Sequence, residues 1–378
     1  MRVLVLPDKF KGSLTATQAA AAIARGVAAA IPDADVEALP VADGGEGFLD
    51  VFAAAGGILH EVNTVDAMGN PVGARWVETD GCAVLELADV IGLQQLASPS
   101  PATAWAASSR GIGVLVRAVL EQGFEEILIG VGGVATTDGG AGALLELGAT
   151  MVDAKGNRLS EVRQLHRIAA VDLSGVDPRL RQASISIASD VLVPLTGPRG
   201  AAHAFAVQKG ADIATVAALE RRNARWAQAL ERAGGRVVSS FAGAGAAGGF
   251  PAGLAAVSGV TIRPGIEVIA DTLRLRERLR CADLVIVGEG RLDPQSLEGK
   301  APAAIARWAA EAGIPVLALV GATRLDPATA ERAGIVRVLA IEDVAQSFSD
   351  AVSKAGTYLE QIARDAVLSP GRPRPISA

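Results

Sequence analysis

Four short strings in this chain combine glycine with a carboxylate: VADGGEG at 41–47, GGVATTDGG at 132–140, ASDVLVPLTG at 188–197 and GEGRLD at 288–293. Glycine lets a backbone approach a phosphate and turn several N–H groups toward it. A carboxylate in the same string can hold a magnesium ion or take a proton from a hydroxyl. Each string follows an apolar, strand-like run, and the carboxyl ends of strands are where α/β sheets meet their ligands. Taken singly, each is more often a plain turn, because Asp-Gly suits turns for steric reasons. Four together point to a site for a metal-bound polyphosphate. Lys9 and Lys11 follow the first strand, where a cation could neutralise a carboxylate or a phosphate, or simply be solvated beside a turn. Lys209 offers another cation, or a surface lysine at a helix end. Arg291 and Asp293 could pair with each other, and His203, among alanines, reads as packing.

These strings need elements to position them. Residues 3–6 read as a short buried strand, and a helix runs from a Ser13/Thr15 cap region to residue 30. A second strand at 36–39 leads through the first string into a helix over 45–55. That βαβα order predicts a parallel sheet. Beyond Gly56, residues 58–65, 73–79 and 82–87 read as an antiparallel meander. A helix over 102–121, a strand at 126–129, the second string and a helix ending at 147 follow. Strands at 149–152 and 184–188 and a long helix over 213–233 come next. Doubly wound order returns with strands at 282–287, 315–320 and 336–341 and helices at 301–312 and 351–366. The Pro- and Arg-rich tail after Ser369 is expected to be disordered. The topology expected is α/β, with two domains. One is a Rossmann-like parallel-sheet domain from 1–60 and 262–378; the other is an inserted mixed α/β domain from 61–261. The site is expected in an interdomain cleft.

Bulk properties narrow the partners. A chain of 378 residues is long for one core, and half of it is hydrophobic. Few aromatics and a net charge of −6 argue against nucleic-acid binding. Two cysteines without a CxxC and three scattered histidines make a zinc site improbable, and two buried free thiols are expected. The N-terminus lacks a signal-peptide pattern and no apolar run reaches membrane-spanning length, so the cytoplasm and no membrane contact are the expectation. A homodimer is left open.

The string from Gly130 to Ala135 fits GxGxxA, and Asp153 follows about twenty residues on, most of a dinucleotide fingerprint. Against that reading, Thr136, Thr137 and Asp138 open the helix, and a carboxylate there repels a pyrophosphate. GxxxxGK[ST], the protein-kinase set and GxSxG are all absent.

With PDKFKGSL at 7–14, QKGA at 208–211, GAAGG at 245–249 and ADLVIVGEGRLD at 282–293 added to the first three strings, the chain resembles the bacterial-type glycerate kinases of the glycerate kinase I family. The resemblance runs over nearly the whole chain. It departs from the family at Lys9 (usually Ser), Val134 (Ser), Thr137 (Asn) and Leu192 (Asn), and Ala206-Val207 replaces Gly-Pro. The loss of polar groups near the expected site suggests an altered substrate preference or metal geometry. The resemblance implies ATP- and Mg2+-dependent phosphorylation of D-glycerate, at the 2-hydroxyl, by two α/β domains. In that frame Gly132, Gly133, Thr136, Asp138, Gly288, Glu289 and Gly290 would hold the nucleotide phosphates. Asp190 and Asp293 would serve as magnesium ligand or as base, with Lys11 catalytic. Asp43, Glu46, Lys209 and Arg291 would bind the substrate. Rival readings are a 3-kinase, a kinase of a related hydroxy acid, an NAD-dependent dehydrogenase and a non-catalytic sensor.

Overall fold

The computed structural model describes residues 1–42, 44–297 and 301–368. Asp43 and the tail therefore lie outside the described residues. The chain divides into two compact units, one of residues 1–43, 50–55 and 266–378, the other of 44–49 and 56–265. The first opens with β1 (Arg2–Pro7) and β2 (Asp35–Ala38). The second contributes β3 (Ile58–Val65), β4 (Pro71–Thr79), β5 (Cys82–Glu86), β6 (Glu126–Gly130), β7 (Thr150–Asp153), β8 (Arg158–Leu159), β9 (Ile168–Asp172), β10 (Ser184–Ala188) and β11 (Gly259–Arg263). The first unit resumes with β12 (Leu284–Leu292), β13 (Val316–Thr323) and β14 (Arg337–Ala340).

In the first unit the sheet runs β14-β13-β12-β1-β2, with every pair parallel. Parallel strands covered on both faces read as unbroken apolar runs, as in Val3–Leu6 and Leu284–Val287. The helix Ala16–Ala30 starts at a capping box, in which Thr15 and Gln18 exchange side-chain and backbone bonds. Its buried face (Ala19, Ile23, Val27) packs in one core with Leu359, Ile362 and Ala363 of the helix Ala355–Leu368.

The second unit holds a six-stranded sheet, β11-β10-β6-β5-β4-β3, and a separate three-stranded sheet, β8-β7-β9. The expected meander is present: β3 pairs with β4 and β4 with β5, both antiparallel. From β5 onward the large sheet is parallel. The long helix Ile213–Gly234 is capped by the Asp212 side chain on Thr215 N and stopped by Gly235 at φ 66°.

Several elements differ from the expectation. The strand read as 282–287 continues to Leu292, because Glu289, Arg291 and Leu292 stay in register with β13. The fourth glycine string is thus strand as far as Leu292, not loop. The helix read over 102–121 is two, Pro101–Ala106 and Arg110–Glu121. Ser109 breaks it by donating both its N–H and its Oγ–H to Asp138. The closing helix is likewise two, Phe348–Ser353 and Ala355–Leu368. Both cysteines are free, but neither is buried: Cys82 is half-buried and Cys281 exposed. His203 faces outward and bonds the Gly197 carbonyl rather than packing inward. Among the described residues no helix is long and apolar enough to cross a membrane.

Candidate active site

In the first unit the cations come first. β1 ends at Pro7, in register with Gly288 of β12. The Asp8 N–H donates to Gly288 O at 2.8 Å, so the chain beyond β1 stays against β12. A Cβ placed on Gly290 would lie 3.1 Å from Lys11 N, which puts Lys11 directly beside the GEGR segment. Lys11 and Arg291 are both exposed, and among the described residues neither has an ion-pair partner. Arg291 leaves Asp293 alone. Asp293 instead caps the turn Pro294–Leu297, its Oδ1 accepting from Ser296 N at 3.1 Å. Gly288 and Glu289 are buried within β12.

In the second unit the strings are knitted to one another. The Gly132 N–H donates to Gly44 O at 3.0 Å. A Cβ on Gly132 would come within 2.5 Å of Gly45 Cα, so this glycine is required for loop-to-loop approach. Glu86, at the end of β5 and buried, accepts from Gly47 N at 3.2 Å and Leu49 N at 3.0 Å, holding the first string from behind. Glu46 stays exposed, with Gln94 Nε2 donating to its Oε2 at 3.1 Å. The third string leaves β10 with Ser189 N on Arg263 O, and Gly265 N donates to Asp190 Oδ1 at 3.2 Å. Asp190 is exposed there.

The interior of the second string is enclosed. Thr136, Thr137 and Asp138 have no exposed surface. Asp138 accepts from Ser109 N and Oγ, Gly140 N and Gly142 N, so its carboxylate organises the loop and the start of the helix Ala141–Glu146. The side chains of Thr136 and Asp138 are thus enclosed, and the Gly132 N–H is already engaged by Gly44 O. Gly133 is the exposed residue of the string. Lys209, expected on the substrate, is buried, and its Nζ donates to the Thr136 carbonyl. Burial lowers its pKa to about 8, against the raising effect of Asp138. Arg222 Nη2 donates to Thr137 O at 3.3 Å and Trp226 Nε1 to Gly139 O at 2.8 Å. Gly139 N donates in turn to Gly248 O at 3.0 Å. Gly248 sits at φ +68°, and a Cβ there would strike Thr136 O.

Glu86, Arg222, Trp226 and Gly248 are the site-building residues that sequence reasoning missed. Only the GAAGG string carries a signal, and it does so through the family resemblance alone.

Two departures also change meaning. Val134 is a core residue and Thr137 is buried, so both alter packing within the loop rather than a substrate-facing surface. Leu192 is 65 % exposed.

The dinucleotide reading fails on topology. β6 and β7 belong to different sheets, so no βαβ unit joins the GxGxxA string to Asp153. Asp153 is spent on a turn, bonded by Asn157 and Arg167, which hold its carboxyl well below the usual range.

For magnesium the donors are of the right kind. Mg2+ prefers carboxylate oxygen and takes one or two protein carboxylates together with substrate phosphates. Exposed Asp190 meets that need, and Asp293 has one oxygen outside its cap. Among the described residues no three His, Cys, Asp or Glu side chains gather as a protein-only cage.

Parallel strands, glycine strings, exposed carboxylates and exposed cations place the chain among α/β proteins with the groups to handle small anionic ligands. The particular family follows from comparison: the profile of the Glycerate kinase family matches residues 3–369, and the chain belongs to that family. It is 37% identical to a glycerate kinase of Bacillus subtilis over 98% of this chain and 97% of that one. It is 38% identical to a glycerate 2-kinase of Escherichia coli over 90% of each. The crystal structure of a protein assigned as glycerate kinase 2 from Salmonella typhimurium LT2 superposes with a TM-score of 0.83, at 36% identity, over 98% of both chains.

Proposed function

We propose that the protein transfers the terminal phosphoryl group of ATP to the 2-hydroxyl of D-glycerate, giving 2-phosphoglycerate and ADP. The observation that carries the phosphoryl-transfer reading is the exposed pair Lys11 and Arg291 beside Gly290, neither with an ion-pair partner among the described residues. Two such cations suit a carboxylate or a phosphate. The choice of the 2-hydroxyl is supported by likeness to the Escherichia coli relative named for it.

Phosphoryl transfer asks a protein mainly for positioning and charge neutralisation. The hydroxyl oxygen forms a bond to the terminal phosphorus while the bond to the ADP oxygen breaks. The hydroxyl proton passes to a carboxylate, and Asp190, exposed and oriented by Gly265 N, takes that role in this reading. Lys11 and Arg291 neutralise the substrate carboxylate and the moving phosphoryl group. Gly133, exposed, and Gly290, half-buried, are the glycines of these strings that a nucleotide phosphate would reach. With Asp190 as the base, Asp293 is the carboxylate that would hold Mg2+, which would supply neutralising charge on the polyphosphate when bound.

Purified protein with MgATP and D-glycerate, coupled through enolase, pyruvate kinase and lactate dehydrogenase, tests the reading. Enolase accepts only the 2-phosphate, so NADH loss above a no-enolase control is expected. Loss that requires added phosphoglycerate mutase would move the product to the 3-phosphate. No enolase-dependent loss in either format would remove glycerate as substrate. Asp190→Asn is expected to lower kcat by roughly 10²–10⁴; a change of only a few-fold would take Asp190 out of the proton-transfer role.

A further inference from the structure

The second glycine string is held from outside by three side chains. Lys209, from the turn Val207–Lys209, takes the Thr136 carbonyl. Arg222 and Trp226, four residues apart on the helix Ile213–Gly234, take the carbonyls of Thr137 and Gly139. All three side chains are buried, with exposures of 2%, 1% and 0%. The Arg222 guanidinium is also fixed in place by Trp105, donating to its carbonyl at 2.6 Å and lying 4.6 Å from its ring centre.

This arrangement is poor as a stabilising device. The charged cluster consists of two buried cations and one buried carboxylate, Asp138. Among the described residues, Arg222 Nε, Asn223 Nδ2 and the hydroxyls of Thr136 and Thr137 are buried without a hydrogen-bond partner. Well-packed apolar side chains would cost less than charges buried in this way. What the cations do achieve is directional: they fix consecutive carbonyls, and so the path of the backbone that ends at exposed Gly133.

We infer that Lys209 and Arg222 are positioning residues that aim the 132–140 loop through its Thr136 and Thr137 carbonyls, without touching the substrate. This rests on the reading of that loop as part of the kinase site. The charged group acting on Lys209 is Asp138 from the loop, which also acts on Arg222 of the long helix. His203, on the neighbouring helix Ala201–Phe205, is turned to Gly197 O and lies 3.6 Å from Glu220. Asp138 is thus the carboxylate that faces the ammonium, and with its pKa lowered to about 8 the lysine loses its charge just above neutrality.

The test uses the full chain and four proteins: wild type, Lys209→Met, Arg222→Met and Arg222→Lys. Folded fraction is measured by circular dichroism and MgATP affinity by tryptophan fluorescence. Steady-state kinetics run from pH 6.5 to 9.5. Both Met variants are expected to lose at least tenfold in kcat and severalfold in MgATP affinity, with KM for D-glycerate within threefold of wild type. Lys209→Met should also lose an alkaline limb near pH 8. Arg222→Lys should fall between wild type and Arg222→Met, since one ammonium cannot serve both carbonyls.

Folded Met variants with wild-type kcat and an unchanged pH profile overturn the inference. So does a Lys209→Met whose only defect is a tenfold higher KM for D-glycerate, which would put the lysine on the substrate. Should a Met variant not fold, Arg222→Lys decides: wild-type kcat overturns the inference, and a threefold or greater loss supports it. Wild-type protein that binds MgATP but leaves D-glycerate unchanged sinks the glycerate reading alone, and the inference is then judged on the variants' MgATP affinity. No MgATP binding by wild type sinks both.

Discussion

A buried lysine with one carboxylate and one carbonyl for company holds its proton loosely. Lys209 falls from the ordinary 10.5 to about 8 because burial penalises its charged form. Between those values the unfolded chain binds a proton that the folded chain does not. Stability from this group therefore rises as pH climbs through the window and is flat below about 8. Urea titrations of wild type and Lys209→Met should diverge in favour of wild type by on the order of 2–3 kcal/mol between pH 7 and pH 10. A difference independent of pH would mean the lysine is not buried in its charged form. Asp138 is the complementary case. Asn at 138 would turn an NH2 either toward the Gly140 donor or toward those of Ser109 and Gly142, and would leave two cations without their carboxylate. Asp138→Asn should cost roughly 3 kcal/mol or more, read from the same titrations. A cost below about 1 kcal/mol would show that its hydrogen bonds carry little of the loop.

Among elements, the glycine strings behave as one assembly in the second unit, because each spends its backbone groups on another. Gly248 and Gly123 separate conformation from contact. Both have positive φ, but a Cβ on Gly248 strikes Thr136 O while one on Gly123 meets nothing within 4 Å. Gly123→Ala should lose about 1 kcal/mol with activity intact, the cost of the left-handed conformation alone. Gly248→Ala should lose more stability and also kcat, by roughly ten- to hundredfold, since a small displacement of a site loop is costly. Equal effects at the two positions would deny the contact any role. The Glu86 carboxylate holds the N–H groups of Gly47 and Leu49, where the helix Phe48–Ala54 begins. Glu86→Gln should weaken folding by roughly 1.5–3 kcal/mol and lower kcat/KM, measured by thermal melts and the coupled assay. An unchanged melt would place the first string's support elsewhere.

For the molecule as a whole, ligand linkage supplies the cleanest test of the nucleotide reading. At one hundred times its dissociation constant, MgATP should stabilise the folded chain by about 2.7 kcal/mol. A rise of several degrees in the melting temperature is the expected readout. An unchanged melt at millimolar MgATP would count against nucleotide binding whatever the family. The parallel sheet of the first unit was legible in the sequence because its central strands β1, β12 and β13 are buried and spelled largely in Val, Leu and Ile. The meander was legible because its turns are short and marked by Gly, Pro and Asp-Gly. The three-stranded sheet was legible only in part: β7 matches the strand read at 149–152, but β8 has two residues and β9 was not read as a strand.

Fold class, family, and the glycine strings, carboxylates and cations from which a site can be drawn were all readable without coordinates. Those features are local: apolar runs, turn chemistry and short motifs are written in neighbouring residues. Which of those residues face outward was a matter for the folded chain. Lys11, Arg291 and Asp190 are exposed, whereas Thr136, Asp138 and Lys209 are buried. Folding also puts the GxGxxA string and Asp153 in different sheets. Burial and hydrogen-bond satisfaction are settled by partners distant in sequence. Arg222 reaches Thr137 across 85 positions and Lys209 reaches Thr136 across 73, and no local pattern records either bond.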